Sequence, residues 1–405
     1  MLPHRFIYKC SVLISLSFLT LSVFSQQNIK KWTLKDAMGI NNITNINFSP
    51  DDQYLTYVLS KNVKNQEQVW ISDQQIHRIN LKDLSDETLT NKGYQYSQPK
   101  WSFDGQYIAY LFQDENQDVA HLWRMKPDGS EKEQITENTN PITCFEWSPN
   151  RYAIGYVTTS HYPTIAPEEQ NLHPANINNT FTYSNLHLLE LKDSLPSPDK
   201  ILAAGLGNRN KFYIFDWNNS GDTILFSKVK SNRNDLWNYG DLTQFNFVNQ
   251  TEQPVSMMPK QRPVQAAQYS HDNTQVALLS SKLVYIMNTD TGGLTQLATD
   301  DGELPIDLIG WSQDDQYVYV LEKYHTYYRM LALSSDGKKY RIIPLPHQMI
   351  TSPVLSKRGD KLGLTLQDSN KPIEIFLYSI KKSKPKKLTH SMQAMESEAR
   401  VSIPR

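Results

Sequence analysis

The chain has 405 residues, 39% hydrophobic and 11% aromatic, with 41 lysines and arginines against 42 aspartates and glutamates, and a mean hydropathy of -0.55. This balance excludes a disordered, collagen-like or multi-span membrane chain. A formal charge of -1 also lacks the basic excess of a nucleic-acid binder, so no nucleic-acid partner is expected.

The first residues lie outside the fold. His4, Arg5 and Lys9 precede an apolar run from Val12 to Leu21, and Val23 and Ser25 stand at the -3 and -1 positions before Gln26. Residues 1–25 therefore read as a secretory signal peptide and predict a periplasmic or secreted protein. The run is broken by serines and shorter than the about 20 apolar residues of a membrane span, so no span is expected after cleavage. Cys10 precedes the run, which argues against a lipid anchor at the cleavage point. Loss of Arg5 and Lys9 takes the formal charge from -1 to -3 and leaves Cys144 as the single cysteine, so no intramolecular disulfide is available. Within Ile142-Thr143-Cys144-Phe145-Glu146-Trp147 that thiol reads as inert and buried.

After a lead-in over residues 26–39, one pattern recurs seven times: an aromatic or apolar residue, commonly serine, a turn rich in Pro, Asp, Asn or Gly, then an alternating apolar strand. The copies begin at Phe48, Trp101, Trp147, Trp217, Tyr269, Trp311 and Leu355, in steps of 53, 46, 70, 52, 42 and 44 residues. Each copy predicts a hairpin whose first strand ends at the opening residue. A third strand follows, as in Ile76–Leu81, His121–Met125, Leu283–Met287 and Ile375–Ile380. A short fourth follows that, as in Thr88-Leu89-Thr90, Gln134-Ile135-Thr136, Thr295-Gln296-Leu297 and Lys387-Leu388-Thr389. Four strands per repeat without helix-period segments predict an all-β fold, a seven-bladed β-propeller of four-stranded antiparallel blades. The blades fall at about 40–92, 93–140, 141–208, 209–262, 263–303, 304–348 and 349–390, and 391–405 form a tail. The first blade must pack against the seventh, and neither terminus offers a strand to complete a shared blade.

The step of 70 residues holds an insertion, His161 to Pro174, before the third strand of blade three. Asp114-Glu115-Asn116-Gln117-Asp118 imitates the start of a calcium loop, but Val119 and Met125 replace the glycine and the bidentate Glu it needs. His161, His173 and His187 lack zinc spacing, so no metal and no cofactor is expected. The basic run Lys381-Lys382-Ser383-Lys384-Pro385-Lys386-Lys387 spans the last turn of blade seven and reads as a solvated hairpin tip, with an anionic docking patch as the alternative.

These turns resemble those of TolB-like propellers, and most of all the propeller domain of the prolyl oligopeptidase family, the dipeptidyl-peptidase and acylaminoacyl-peptidase group, over about residues 33–390. The resemblance implies a domain that covers an α/β-hydrolase and filters its substrates by size. No stretch fits Gly-x-Ser-x-Gly: Gly359 and Gly363 have the spacing, but Lys361 lies between them. No catalytic residue is therefore assigned, and the chain alone is expected to be inactive. The resemblance also implies a substrate-binding role for Glu168 and Glu169, because some dipeptidyl peptidases hold a substrate amine with a Glu-Glu pair on a propeller insertion. The expectation is an exported non-catalytic propeller, truncated or split from its hydrolase, with a peptide or protein ligand and a separate hydrolase subunit as partner. The alternative is a free-standing TolB-like periplasmic module that binds envelope proteins.

Overall fold

The computed structural model describes residues 39–64, 68–114, 117–162, 181–192, 195–196, 200–207, 214–228, 241–255, 264–298, 304–325, 327–344, 349–368, 371–381 and 384–391. The proposed signal peptide lies outside them.

Seven antiparallel sheets follow one another along the chain. Blade 1 contains β1 (Asn42–Phe48), β2 (Tyr54–Lys64), β3 (Trp70–Asn80) and β4 (Asp86–Thr88). Blade 2 contains β5 (Gln95–Trp101), β6 (Ile108–Gln113), β7 (His121–Met125) and β8 (Glu133–Gln134). Blade 3 contains β9 (Ile142–Trp147), β10 (Ala153–Tyr162), β11 (Phe181–Lys192), β12 (Leu195–Pro196) and β13 (Lys200–Gly207). Blade 4 contains β14 (Ile214–Trp217), β15 (Thr223–Lys228), β16 (Asp241–Asn246) and β17 (Thr251–Pro254). Blade 5 contains β18 (Val264–Tyr269), β19 (Gln275–Ser280), β20 (Leu283–Asn288) and β21 (Leu294–Gln296). Blade 6 contains β22 (Leu304–Trp311), β23 (Tyr317–Tyr324), β24 (Tyr327–Ser334) and β25 (Tyr340–Ile343). Blade 7 contains β26 (Met349–Leu355), β27 (Lys361–Asp368), β28 (Lys371–Ser379) and β29 (Lys384–Lys387).

The expected seven-bladed architecture is present, with one departure. Blade 3 has five strands, because the extra chain after β11 first folds back as the two-residue β12 and then returns as β13 beside β11.

The first-hairpin turns show why these sequences fold so regularly. The hydroxyls of Ser49, Ser102, Ser270 and Ser312 accept the amide five residues on at 2.9–3.0 Å. Each donates to the aspartate two residues on, at 2.5–2.8 Å. The residue after that aspartate adopts a left-handed conformation: φ is 58° at Asp52, 72° at Gly105, 62° at Asn273 and 54° at Asp315. Gly, Asn and Asp tolerate this region best, which is why the motif draws on them.

The fourth strands are offset from the expected segments. Leu89, Ile135 and Leu388 lie just beyond β4, β8 and β29, and the following threonine hydroxyl accepts an amide of the third strand. Thr90 takes Ile76 N, Thr136 takes Leu122 N and Thr389 takes Ile375 N, at 2.9–3.0 Å. The side chain replaces a ladder bond that a longer strand would supply.

Seven apolar clusters hold the blades together, one at each interface. Val58 and Ile76 meet Tyr96 and Trp101 between blades 1 and 2, and Ala277 and Ile286 meet Trp311 and Val318 between blades 5 and 6. The ring closes in the same way, with Phe48, Leu55 and Tyr57 against Ile375 and Leu388. Among the described residues no strand is exchanged across this seam, since each blade uses consecutive strands. Buried Asp52 instead accepts Lys357 N at 2.8 Å and Arg358 N at 3.1 Å, and Asn41 Nδ2 donates to Ser391 O at 2.9 Å.

Candidate functional site

The first strands of successive blades contact one another in a ring, from β1 and β5 through β14 and β18 to β26 and back to β1, so they form the wall of the central channel. The two ends of that channel differ. All first-hairpin turns share one end: Asp315 accepts His271 N at 3.1 Å from the neighbouring turn, and Asn273 accepts Asn219 N at 2.8 Å. The turns between third and fourth strands join them there, as Leu81 N bonding Gln53 O at 2.9 Å and Ile380 N bonding Asp360 O at 3.1 Å show. We call this the turn end. The opposite end carries the hairpins between second and third strands, the blade-to-blade connections and both ends of the propeller chain.

Immediately before each opening residue stands one channel position per blade: Asn47, Lys100, Glu146, Asp216, Gln268, Gly310 and Val354. Blades 1 to 5 make this ring polar and blades 6 and 7 make it small or apolar. The Lys100 ammonium pairs with the Glu146 carboxylate and donates to Phe145 O at 2.8 Å. Asp216 accepts Tyr269 N from the next blade and Trp217 N, both at 2.9 Å. Part of Asp216 is open, yet the surrounding blades strip it of water. This desolvation, aided by the negative charge of Glu146 and opposed by its two amide donors and by Lys357, raises its pKa to about 7.

Two residues before the ring position, Asn45, Gln98 and Ser352 have φ of 53°, 52° and 48°. They sit in equivalent bulges where the first strand slips register against the second. Gln98 uses this geometry to reach Thr143 O at 3.0 Å in the next blade. Repeat alignment shows the polar ring residues once the opening residue is the reference. The bulges leave no comparable mark, because Asn, Gln and Ser share no pattern there.

The ring contains no serine, cysteine or histidine. It can hold charged and polar groups of a chain in the channel through one ammonium and two carboxylates, but it offers no nucleophile and base. Among the described residues no group of three or more His, Cys, Asp or Glu side chains is placed to hold a metal. His187 stacks on Tyr156 with ring centroids 4.7 Å apart and shares a 2.8 Å hydrogen bond with Thr158, a role in blade packing. Cys144 is half-buried rather than fully buried, and packs beside Ala153, Val157 and Leu186. Glu168 and Glu169, the expected amine-binding pair, lie outside the described residues, in the connection between Tyr162 and Phe181.

No protein-family model and no curated protein matches the sequence. Solved structures do match the fold. An acylaminoacyl peptidase in complex with Z-Gly-Gly-Phe-chloromethyl ketone superposes with a TM-score of 0.69 at 15% identity, over 92% of this chain and 56% of that one. A structure from work on two prolyl endopeptidases gives a TM-score of 0.62 at 11% identity, over 95% of this chain and 55% of that one. The isolated β-propeller domain of the Trilobed protease from Pyrococcus furiosus, described as having an open velcro topology, gives 0.63 at 13% identity, over 87% of this chain and 97% of that one. The protein is thus an all-β seven-bladed propeller with the fold of the propeller domains of acylaminoacyl and prolyl oligopeptidase-type peptidases. It spans only a little over half the length of the two whole peptidase chains it matches.

Proposed function

We propose that this chain is the exported, non-catalytic propeller of a prolyl oligopeptidase-type serine peptidase, and that it screens substrates for an α/β-hydrolase carried beyond residue 405 or by a separate subunit. The observation that carries this reading is the way the ring closes. Its blades are built from consecutive strands, its seam is sealed by packing and the Asp52 bonds, and its fold agrees with peptidase propellers over nearly the whole chain. Both ends of the propeller chain meet beside the Asn41–Ser391 hydrogen bond, at the end that carries the long connections. A hydrolase joined there would face the channel entrance, and the polar half of the ring would contact peptide passing through it.

The test is fluorophosphonate labelling of the native protein, immunoprecipitated from its own cells. The label is expected on an α/β-hydrolase that is either continuous with the propeller or stoichiometric with it. A native propeller that brings down no labelled hydrolase refutes the proposal.

A further inference from the structure

Charge is unevenly spread along this near-neutral chain. Between Lys338 and His390 stand twelve lysines and arginines against three carboxylates, in a protein of formal charge -1. The rest of the molecule is correspondingly acidic. The fold concentrates this stretch on blades 6 and 7, and much of it lies at the turn end. Lys338 and Lys339 are in the turn before β25, Lys357 and Arg358 form the first-hairpin turn of blade 7, and Lys381 begins the turn before β29.

Elsewhere several cations are neutralised locally. Arg78 pairs with Glu87, Lys100 with Glu146, Arg124 with Glu133 and Arg329 with Glu322. In the basic sector Lys338 lies 3.5 Å from Asp336, Arg358 4.0 Å from Asp52 and Lys387 3.7 Å from Glu374. Lys339, Lys381 and Lys386 are exposed and have no carboxylate partner among the described residues. A second observation adjoins them. On β25, beside the turn that holds Lys338 and Lys339, Tyr340 and Ile342 are 39% and 51% exposed.

We propose that the turn-end sector of blades 6 and 7 is a docking surface for an anionic phospholipid bilayer. Lysine outnumbers arginine there, and a flexible ammonium suits a diffuse plane of charge better than bidentate recognition of one phosphate. Exposed Tyr and Ile next to lysines match an interface with apolar material beneath a charged layer. A nucleic acid gives such an aliphatic side chain no comparable place. The acidic remainder of the molecule orients it, because a negative surface attracts blades 6 and 7 and repels the rest. This surface is independent of the function proposed above, since it lies at the opposite end from the chain termini.

The test is co-sedimentation of the full chain with vesicles of phosphatidylcholine alone or mixed with phosphatidylglycerol. Binding to the mixed vesicles is expected to exceed binding to neutral ones by about tenfold or more, and to fall as the Debye length shrinks to about 3 Å at 1 M salt. Each lysine near an anionic leaflet contributes about 1 kcal/mol, so Lys339→Gln, Lys381→Gln and Lys386→Gln together should weaken partition roughly 100-fold. The same charge change at exposed Lys61, Lys92 and Lys282, at the opposite end of the propeller, should alter it less than about twofold. Equal loss in both triple variants, or no preference for anionic vesicles, overturns the proposal. So does binding to a soluble polyanion such as heparin without binding to the vesicles. Circular dichroism confirms that each variant is folded.

Discussion

Asp52 gives the sharpest test of how the ring is closed. Its carboxylate accepts two backbone amides of blade 7, at 2.8 and 3.1 Å, from a residue 5% exposed that holds φ at 58°. A hydrogen bond to a charged group contributes about 1.5–3 kcal/mol, but the exposed loop of Lys357 and Arg358 lets water recover part of that, so the pair should contribute about 2–3 kcal/mol. Asp52→Gly isolates this contribution, because Gly105 and Gly359 already occupy the same turn position in other blades. Asp52→Ala should cost about 1 kcal/mol more, since its Cβ disfavours the left-handed conformation. Asp52→Asn keeps an acceptor and tolerates that conformation, and should lose about 1 kcal/mol. Urea unfolding followed by tryptophan fluorescence reads all three, provided the denaturant slope is unchanged. A glycine variant within about 0.5 kcal/mol of the parent, or an alanine variant no weaker than glycine, would refute the reasoning.

Gly363 faces the same seam, where an added Cβ would lie 2.9 Å from Leu55 Cδ1 and 3.2 Å from Phe48 Cε2; Gly363→Ala should lower stability by about 1–3 kcal/mol in urea unfolding. Thr136→Val removes the acceptor of the Leu122 amide, 3.0 Å away, and should cost about 1–3 kcal/mol, whereas Thr136→Ser should restore most of it. Asp216 makes stability depend on pH: its folded pKa of about 7 lies above the ordinary 3.8, so between those values the folded state binds more protons than the unfolded one. That contribution to stability is full at low pH and is lost as pH rises towards 7. Asp216→Asn should therefore gain on the parent across this window in urea midpoints, and a constant difference would contradict the assignment.

The blade architecture is legible in the sequence because its determinants are local. Serine and aspartate two residues apart, followed by Gly, Asn or Asp, are the atoms that build each first-hairpin turn, as at Ser312, Asp314 and Asp315. The fourth strands are read less accurately. Leu89-Thr90 and Ile135-Thr136 have strand-like composition, yet the threonine hydroxyl takes over the bond to the third strand, and the regular pairing ends earlier at Thr88 and Gln134. Ring closure has no sequence signature, because a packed seam uses the same Phe, Leu and Ile as the other six interfaces. The channel site is harder still. Lys100, Glu146 and Asp216 are 46 and 70 residues apart, and only the curvature of the ring brings them to one level. The strain at Gln98 and Ser352 depends on a register slip that composition does not encode.

Size selection for the proposed hydrolase is the central claim, and labelling rates of the native protein measure it most directly. A small fluorophosphonate and the same warhead fixed to a folded carrier protein are compared on the intact assembly and on the hydrolase freed of its propeller. The account predicts that the intact assembly reacts with the small probe and excludes the carrier-bound one, while the freed hydrolase reacts with both. Equal labelling of the intact assembly by both probes would contradict it.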